Sequence, residues 1–178
     1  MLNKGIKWII VMLAMLMSIE AYAANKPSEL DTLFRATAPY GQGKLYKLFL
    51  HVYDAQLWTD ARIWSYEQPF ALSLTYYRNF STEELVDRTF DELNRIQPYN
   101  EAQQALYRPQ LEAVFPSVRR GDRITALFSP SHGIHFFFNG NEKGTISSIA
   151  FSKQFLDIWL GEKTSEPAVR TNLLKGKQ

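Results

Sequence analysis

Polar and apolar side chains alternate along the apolar stretch formed by residues 44–58. A period of two in a run rich in aromatic and branched residues predicts a β-strand. At about 3.3 Å per residue, the stretch suffices for one strand across a domain, or for two strands with a break near Asp54. One parity is uniformly apolar and is predicted to be buried: Tyr46, Leu48, Leu50 and Val52. The other parity is mixed and is predicted to be partly wet or to line a cavity: Leu45, Lys47, Phe49, His51 and Tyr53.

Four further segments show strand patterns and are separated by turn residues. They are residues 70–77, 123–129, 133–138 and 144–149. In the first of them, Leu72, Leu74 and Tyr76 share one face. The Asn139-Gly140 pair predicts a tight hairpin, and the short loops around it predict an antiparallel meander. Residues 25–42 are a polar, turn-rich lead-in.

Helical signals occupy the segments between and after these strands. Ser81 and Glu84 form a capping box, and the helix that they open has its apolar residues at helical spacing until Pro98 ends it. A second helix is predicted over residues 100–115, with a kink or break at Pro109. Its predicted core contacts are Leu106, Leu111, Val114 and Phe115.

Two shorter helices are predicted near the end of the chain. Ser152 is predicted to cap the first, which ends at Gly161, and Pro167 opens the second. Strands and helices are therefore segregated along the chain and do not alternate strictly. This favours the α+β class, with helices on one face of an antiparallel sheet.

The hydrophobic content is that of a folded domain, and the charge balance does not indicate binding to a nucleic acid. The 178 residues are 46% hydrophobic, and 20 basic side chains are nearly balanced by 18 acidic ones. This length favours one domain. No basic stripe is present, which argues against a nucleic-acid binder.

The first 23 residues have the pattern of a signal peptide. Lys4 and Lys7 precede an apolar segment that is too short to span a bilayer, and Ala21 to Ala23 form a small-x-small cleavage site. Residues 24–178 are then the single domain, with a periplasmic location. The chain has no cysteine, so it cannot carry a lipoprotein anchor, and no stable membrane anchor is expected after cleavage. An uncleaved signal anchor is the alternative.

Motifs for metal, nucleotide or hydrolase chemistry are missing from the sequence. His132 and His135 are three apart in a strand, where side chains point to opposite faces, and His51 has no carboxylate cluster near it in sequence. We therefore expect no metal and no cofactor. Arg120-Gly121-Asp122 is interpreted as a turn before a strand.

Aromatic side chains are the remaining candidates for a binding site. Tyr76, Tyr77 and Arg78 combine rings, hydroxyls and a cation, which suits an apolar ligand with one polar end. The set that could line such a pocket is Tyr46, Tyr53, Trp58, Tyr76, Tyr77, Phe136 and Phe138. Ordinary core packing of these side chains is the alternative.

Several phrases in order along the chain resemble one family. They are residues 43–45 with 52–58, then 71–78, 115–122, 136–140 and 155–161. Together they resemble the bacterial, exported branch of the chalcone isomerase-like family. The resemblance implies an open-faced β-sandwich, in which a large antiparallel sheet and a layer of helices enclose a ligand cleft. Members of this family are isomerases that close a flavanone ring or non-catalytic proteins that bind fatty acids.

The polar groups of the isomerases are not all present at the positions that the resemblance assigns. The strand threonine falls near Val52 and the tyrosine near Phe80, so both hydroxyls are lost. The arginine is replaced at best by Lys44, and the late hydroxyl is Ser147 or Ser148. Without the two hydroxyls, the usual oxyanion stabilisation is absent, which disfavours the isomerase reaction.

The sequence therefore predicts a non-catalytic periplasmic protein that binds a small apolar or amphipathic ligand such as a fatty acid. Tyr53, Tyr76 and Arg78, with Lys44 as a weaker candidate, are predicted to contact the polar end of that ligand. Two alternatives remain. One is an intramolecular lyase, favoured by hydroxyls in the cleft. The other is a ligand-free envelope protein whose aromatic side chains pack solidly.

Overall fold

The six strands of the sheet follow one another in space as they do in sequence. In the computed structural model, which describes residues 26–176, each strand pairs antiparallel with the strands before and after it. The strands are β1 (Gly41–Lys47), β2 (Leu50–Trp58), β3 (Phe70–Tyr76), β4 (Arg123–Ser129), β5 (Gly133–Phe138) and β6 (Asn141–Ile146). The predicted meander and the α+β class are confirmed.

Within residues 26–176, four α-helices accompany this sheet and leave a cavity against its inner face. They are α1 (Thr82–Ile96), α2 (Glu101–Val114), α3 (Ile149–Leu160) and α4 (Pro167–Leu173). Helix α4 lies so close to β1 that a Cβ atom on Gly41 would lie 2.1 Å from the carbonyl oxygen of Leu173. None of the helices formed by residues 26–176 is both long and apolar enough to cross a bilayer.

The helix ends agree with the sequence at α1 and differ at α3. Ser81 and Glu84 form the predicted capping box. The cap of α3 is Ser148, whose side chain accepts from the Phe151 amide, so the predicted cap at Ser152 is wrong. Ser152 lies inside the first turn, where its buried hydroxyl donates to a strand carbonyl. The buried Ser152 hydroxyl thus has a hydrogen-bond partner within the fold.

The sequence predicts a kink or a break at Pro109, and α2 continues through this residue without a break. The sequence correctly predicts burial of Leu111, Val114 and Phe115, but Leu106 is 57% exposed. Leu106 lies five residues before Leu111, on a different face of the helix. Only the second half of α2 therefore contributes those predicted core contacts.

The long apolar stretch forms a hairpin whose turn is at Leu48 and Phe49, not near Asp54. The predicted burial of its uniformly apolar parity is also wrong, because Tyr46 and Leu50 are about half exposed and Leu48 is 89% exposed. The buried residues belong to the other parity, which contains Leu45 and Tyr53. Of the mixed parity, Leu45 and Tyr53 therefore lie on the inner face of the sheet, whereas Phe49 is in the turn and fully exposed.

A bulge in this hairpin brings two consecutive residues to the same side. Leu45 pairs with Tyr53 while Tyr46 pairs with His51, so Val52 has no partner on β1. An extra residue in one strand of a pair changes the direction of the side chains around it. As a result, Val52 and Tyr53 both line the cavity behind the sheet.

The turn of this hairpin is built from residues that do not favour its conformation. Leu48 and Phe49 have φ values of 48° and 67°, in the left-handed region that two-residue hairpin turns of type I′ require. Asn-Gly is the preferred pair there. We expect Leu48→Asn/Phe49→Gly to raise the free energy of unfolding by about 1 kcal/mol, because it relieves the strain of two branched or bulky side chains.

Urea denaturation of the wild type and this variant measures that change. The matched control is Leu48→Ser/Phe49→Ser, which removes the apolar side chains but leaves two residues that do not favour positive φ. An equal gain in both variants would show that backbone strain is not the cause.

The N-terminal segment of residues 26–36 covers part of the outer face of the sheet. Leu30 and Phe34 pack with Trp58 and Ala71 in a second, smaller apolar cluster. Beside it, the Glu29 carboxylate accepts from the Arg123 guanidinium at 2.9 Å and from the Thr125 hydroxyl at 2.6 Å. The predicted polar lead-in therefore stabilises the sheet from its second side.

Candidate functional site

A cavity of about 800 Å³ lies between the inner face of the sheet and the helices α1 and α3. This volume falls within the range of about 300–1,000 Å³ that is usual for small-molecule sites. The aromatic side chains thus leave an open space between the layers. That finding argues against the ligand-free alternative, which predicted a solidly packed core.

Most of the cavity wall is apolar. Leu72 and Leu74 of β3 share one face, as predicted, and this face lines the cavity. The neighbouring strands add Ala126 and Phe136. Helix α3 closes this end with Phe155, whose ring lies 5.6 Å from that of Phe136. Such a wall offers an alkyl or aromatic group dispersion contacts but no hydrogen bonds.

Two tyrosine side chains give one end of the cavity its polarity. Tyr53 of β2 and Tyr76 of β3 are paired across the sheet, and their ring centroids lie 6.2 Å apart. The Trp159 indole nitrogen donates to the Tyr53 hydroxyl at 2.9 Å. The Tyr76 residue is only 7% exposed, and its hydroxyl makes no hydrogen bond to another residue of 26–176. Because this hydroxyl is open to the cavity, it can donate to water or to a ligand there.

Both hydroxyls are neutral hydrogen-bond donors at physiological pH. Burial raises the pKa of Tyr53, although the bond from Trp159 lowers it in part. Burial also raises the pKa of Tyr76, and the nearby Tyr53 adds to that effect. A phenol whose pKa is raised stays protonated, so it can donate to a carbonyl or carboxylate oxygen but cannot act as a base.

Charged side chains lie at the rim of the cavity, close to these tyrosines. Lys47 of β1 forms an ion pair with Glu166, and both residues line the cavity. On α1, the buried Glu92 carboxylate is bound by Arg88 on one oxygen and by Arg95 on the other. With both oxygens paired to cations, Glu92 is not available as a free base.

The structure brings together two of the four residues predicted to contact the ligand. Tyr53 and Tyr76 meet at the polar end of the cavity, whereas Lys44 and Arg78 do not line it. The Lys44 amine lies on the outer face, 3.8 Å from the Asp54 carboxylate. Arg78 follows the end of β3 and is exposed. The cations at the rim are instead Lys47, which shares the parity of Tyr53, and Arg88.

The positions that the isomerases use have no hydroxyl inside this cavity. Val52 and Phe80 both line it, as apolar side chains. Ser148 caps α3, and its hydroxyl lies 3.2 Å from that of Tyr107, away from the cavity wall. In the part of the chain that the structure describes, no three His, Cys, Asp or Glu side chains lie close enough to hold a metal ion.

Comparisons with known proteins agree with this architecture. The fold is similar to that of a fatty-acid binding protein of Arabidopsis thaliana, with a TM-score of 0.58 at 14% sequence identity over 77% of this chain and 86% of that one. At this identity the likeness concerns the fold alone. No curated protein matches the sequence. The family model described as chalcone isomerase-like matches residues 40–175, which is most of the chain. The chain belongs to the chalcone isomerase-like family.

Proposed function

We propose that this protein binds an amphipathic molecule in the cavity without transforming it, and that a long-chain fatty acid is a representative ligand. The observation that carries the proposal is the Tyr76 hydroxyl, which makes no hydrogen bond within the described chain and is open to a mostly apolar cavity. A ligand with one hydrogen-bond acceptor satisfies that donor while its apolar part fills the rest. The fatty-acid binding protein of similar fold supports the same type of ligand.

The distribution of polar groups sets the orientation of the proposed ligand. Its head would lie at Tyr53 and Tyr76, and its tail would extend toward Phe136 and Phe155. A buried carboxylate is costly without a cation. For a fatty acid, Arg88 at the rim supplies that cation while keeping one contact with Glu92 through its ion pair. A neutral head, such as an alcohol or ester, needs only the two tyrosine hydroxyls.

Removal of the Tyr76 hydroxyl tests this orientation. We expect Tyr76→Phe to weaken the binding of cis-parinaric acid, a fluorescent fatty acid, about tenfold, because a hydrogen bond to a charged group contributes about 1.5–3 kcal/mol. Fluorescence titration of the purified protein measures the dissociation constant. The matched control is Tyr107→Phe, which removes a hydroxyl that lies outside the cavity. Equal affinity of the wild type and Tyr76→Phe would contradict the proposed head-group position.

The identity of a bound ligand is tested by native mass spectrometry of the protein purified from cells. An added mass that is lost on organic extraction, and that returns with a fatty acid but not with an alkane, supports the proposal. A protein that is consistently empty and that fails to take up cis-parinaric acid would overturn it.

An intramolecular lyase is the second candidate, and one observation favours it. Tyr53 and Tyr76 together present two neutral donors that can polarise a ketone inside the cavity. The test is the rate at which a chalcone cyclises with and without the protein. A rate above the uncatalysed one that falls in Tyr76→Phe would support this candidate, and an unchanged rate would remove it.

We further propose that the protein is of bacterial origin and is exported to the periplasm. The proposal comes from the signal-peptide pattern in residues 1–23, which lie outside the described residues. Cell fractionation with N-terminal sequencing tests it, and we expect a mature chain that begins at Ala24. A cytoplasmic protein that retains its first residues would contradict the proposal.

A further inference from the structure

Exposed apolar side chains are concentrated at one place on the surface. Seven large apolar side chains are exposed within residues 26–176, and four of them lie in the stretch 46–50 at the end of the β1–β2 hairpin. Phe49 is fully exposed and Leu48 is 89% exposed. Single exposed apolar residues are normal on soluble proteins, but a contiguous group marks an interaction site. We name residues 46–50 the apolar tip.

Folding does not account for the residues of the apolar tip. Leu48 and Phe49 hold positive φ values that leucine and phenylalanine rarely adopt, so neither residue suits the turn. Neither packs against the core, because both side chains are almost wholly in solvent. Their identity is therefore unfavourable for the isolated fold, and a contact with another molecule would offset this cost.

The surface next to the apolar tip is aromatic and basic. On the outer face of the sheet, the His51 ring stacks between Tyr46 and Tyr77, with centroid distances of 4.7 and 3.9 Å. The guanidinium of Arg120 lies 5.9 Å from the Tyr77 ring. The acid of this face, Asp54, is held by His51 at 2.8 Å.

More cations lie at the same end of the sheet. Tyr77 pairs with the β2 backbone, and Arg78 follows it directly in sequence. Arg78, Arg119 and Arg120 are all exposed, and none of them forms an ion pair with another described residue. The acids Glu84 and Asp87 belong to the cavity side of the protein. This end of the sheet therefore carries three exposed arginines that form no ion pair with described residues, near a protruding apolar tip. The acid of the same turn, Asp122, accepts hydrogen bonds from the Arg119 amide and the Asn139 side chain.

We propose that the apolar tip inserts into the surface of a lipid bilayer that carries anionic headgroups. Phe49 and Leu48 enter the acyl region, where their side chains leave water. Tyr46 lies at the headgroup level, which tyrosine prefers, and the arginines contact phosphates. An anionic bilayer is favoured over a second copy of the chain, because the arginines of a second copy would repel those of the first.

Docking in this orientation has one consequence for ligand exchange, which rests on the proposed function. Lys47 belongs both to the apolar tip and to the wall of the cavity. Insertion of the tip therefore places the rim of the cavity at the bilayer surface, where amphipathic molecules reside. The docking itself requires no ligand and is tested without one.

A single fluorophore tests insertion in the full chain. The natural sequence has no cysteine, so Leu50→Cys accepts an NBD label at a unique position and leaves Leu48 and Phe49 intact. NBD emission rises in an apolar environment. We expect a rise with vesicles of phosphatidylcholine and phosphatidylglycerol, a weaker one with phosphatidylcholine alone, and a decrease with added salt. Leu48→Ser/Phe49→Ser in the labelled chain should weaken insertion at least about tenfold.

Two matched controls separate insertion from misfolding and from general hydrophobicity. Leu48→Asn/Phe49→Gly suits the turn, so it should stay folded and still lose insertion. Ile63→Ser/Leu106→Ser removes two exposed apolar side chains elsewhere and should insert as the wild type does.

Three results would overturn the proposal. The first is a label at residue 50 that does not respond to either vesicle. The second is equal insertion of the wild type and both Leu48/Phe49 variants. The third is a rise in NBD emission with protein concentration alone, without vesicles, which would assign the apolar tip to self-association. Because no ligand is added, failure here leaves the proposed function unaffected.

Discussion

Replacement of Ala126 by tryptophan is expected to weaken the binding of cis-parinaric acid at least about 100-fold. Ala126 is 5% exposed and lies on β4 in the apolar part of the cavity wall, between Leu72 and Phe136. An indole at this position occupies the space proposed for the ligand tail. The protein should stay folded, because the added ring enters a cavity of about 800 Å³ and not a packed core.

The matched control for this variant is Leu127→Trp. It places the same indole one residue further along β4, on the outer face, where Leu127 is only partly buried. Fluorescence titration with fatty acids of increasing chain length distinguishes a blocked cavity from a damaged one. A blocked cavity should retain short acids and lose long ones. Tight binding of long acids by a folded Ala126→Trp variant would show that the ligand binds elsewhere.

Replacement of Glu29 by alanine is expected to lower the free energy of unfolding by about 3 kcal/mol, because it removes one partner of a largely buried ion pair. The Glu29 side chain is 2% exposed and that of Arg123 is 26% exposed. The substitution leaves that guanidinium and the buried Thr125 hydroxyl without their carboxylate. For a domain of this size the melting temperature should fall by roughly 6–12 °C.

Thermal and urea denaturation measure this loss. The matched control is Glu67→Ala, which removes an 84% exposed glutamate that lies 4.0 Å from Lys153 and should change stability by less than about 0.5 kcal/mol. A similar small effect for both variants would show that the N-terminal segment contributes little to the sheet. The cavity should keep its ligand affinity in Glu29→Ala at temperatures where the variant is folded.

Local sequence signals were sufficient wherever turns and caps use their usual residues. The Ser81–Glu84 box fixes the start of α1, and Asn139-Gly140 fixes a hairpin, because these side chains satisfy or permit a specific backbone geometry. The β1–β2 turn was missed because Leu48 and Phe49 carry no turn signal. Once that turn is misplaced, the assignment of the buried parity fails with it, since neighbouring residues face opposite sides.

The polar end of the cavity was only partly predictable. Tyr53 and Tyr76 were found from the combination of aromatic rings and hydroxyls, and strand pairing then places them side by side. The lysine that lies near these tyrosines is the one whose side chain points to the inner face of the sheet. Lys44 and Lys47 are three residues apart in β1, so they point to opposite faces, and the sequence pattern led to the wrong one. Arg88 was missed because its position on α1 reaches the cavity only through the packing of the helix on the sheet.

The packing of the N-terminal segment on the outer face of the sheet could not be predicted from the sequence pattern either. The segment of residues 26–36 is short, polar and rich in turn residues, so no hydrophobic periodicity indicates that it packs against the sheet. Their role comes from three side chains, Glu29, Leu30 and Phe34, which contact residues distant in sequence. Such contacts depend on tertiary packing and leave no local trace.

The order of the strands has a consequence for how the chain folds. Every strand hydrogen-bonds to its neighbours in sequence, and short connections join all neighbouring strands except β3 and β4, which residues 77–122 separate. Local pairing of this kind favours fast folding. The contact between α4 and β1 is different, because Gly41 and Leu173 must meet across almost the whole domain. Closing so long a loop carries the larger entropic cost. We expect pulse-labelled hydrogen exchange to find the amides of β3 to β5 protected before those of α4. The packing of α4 against the edge strand β1 would then be the last step of folding.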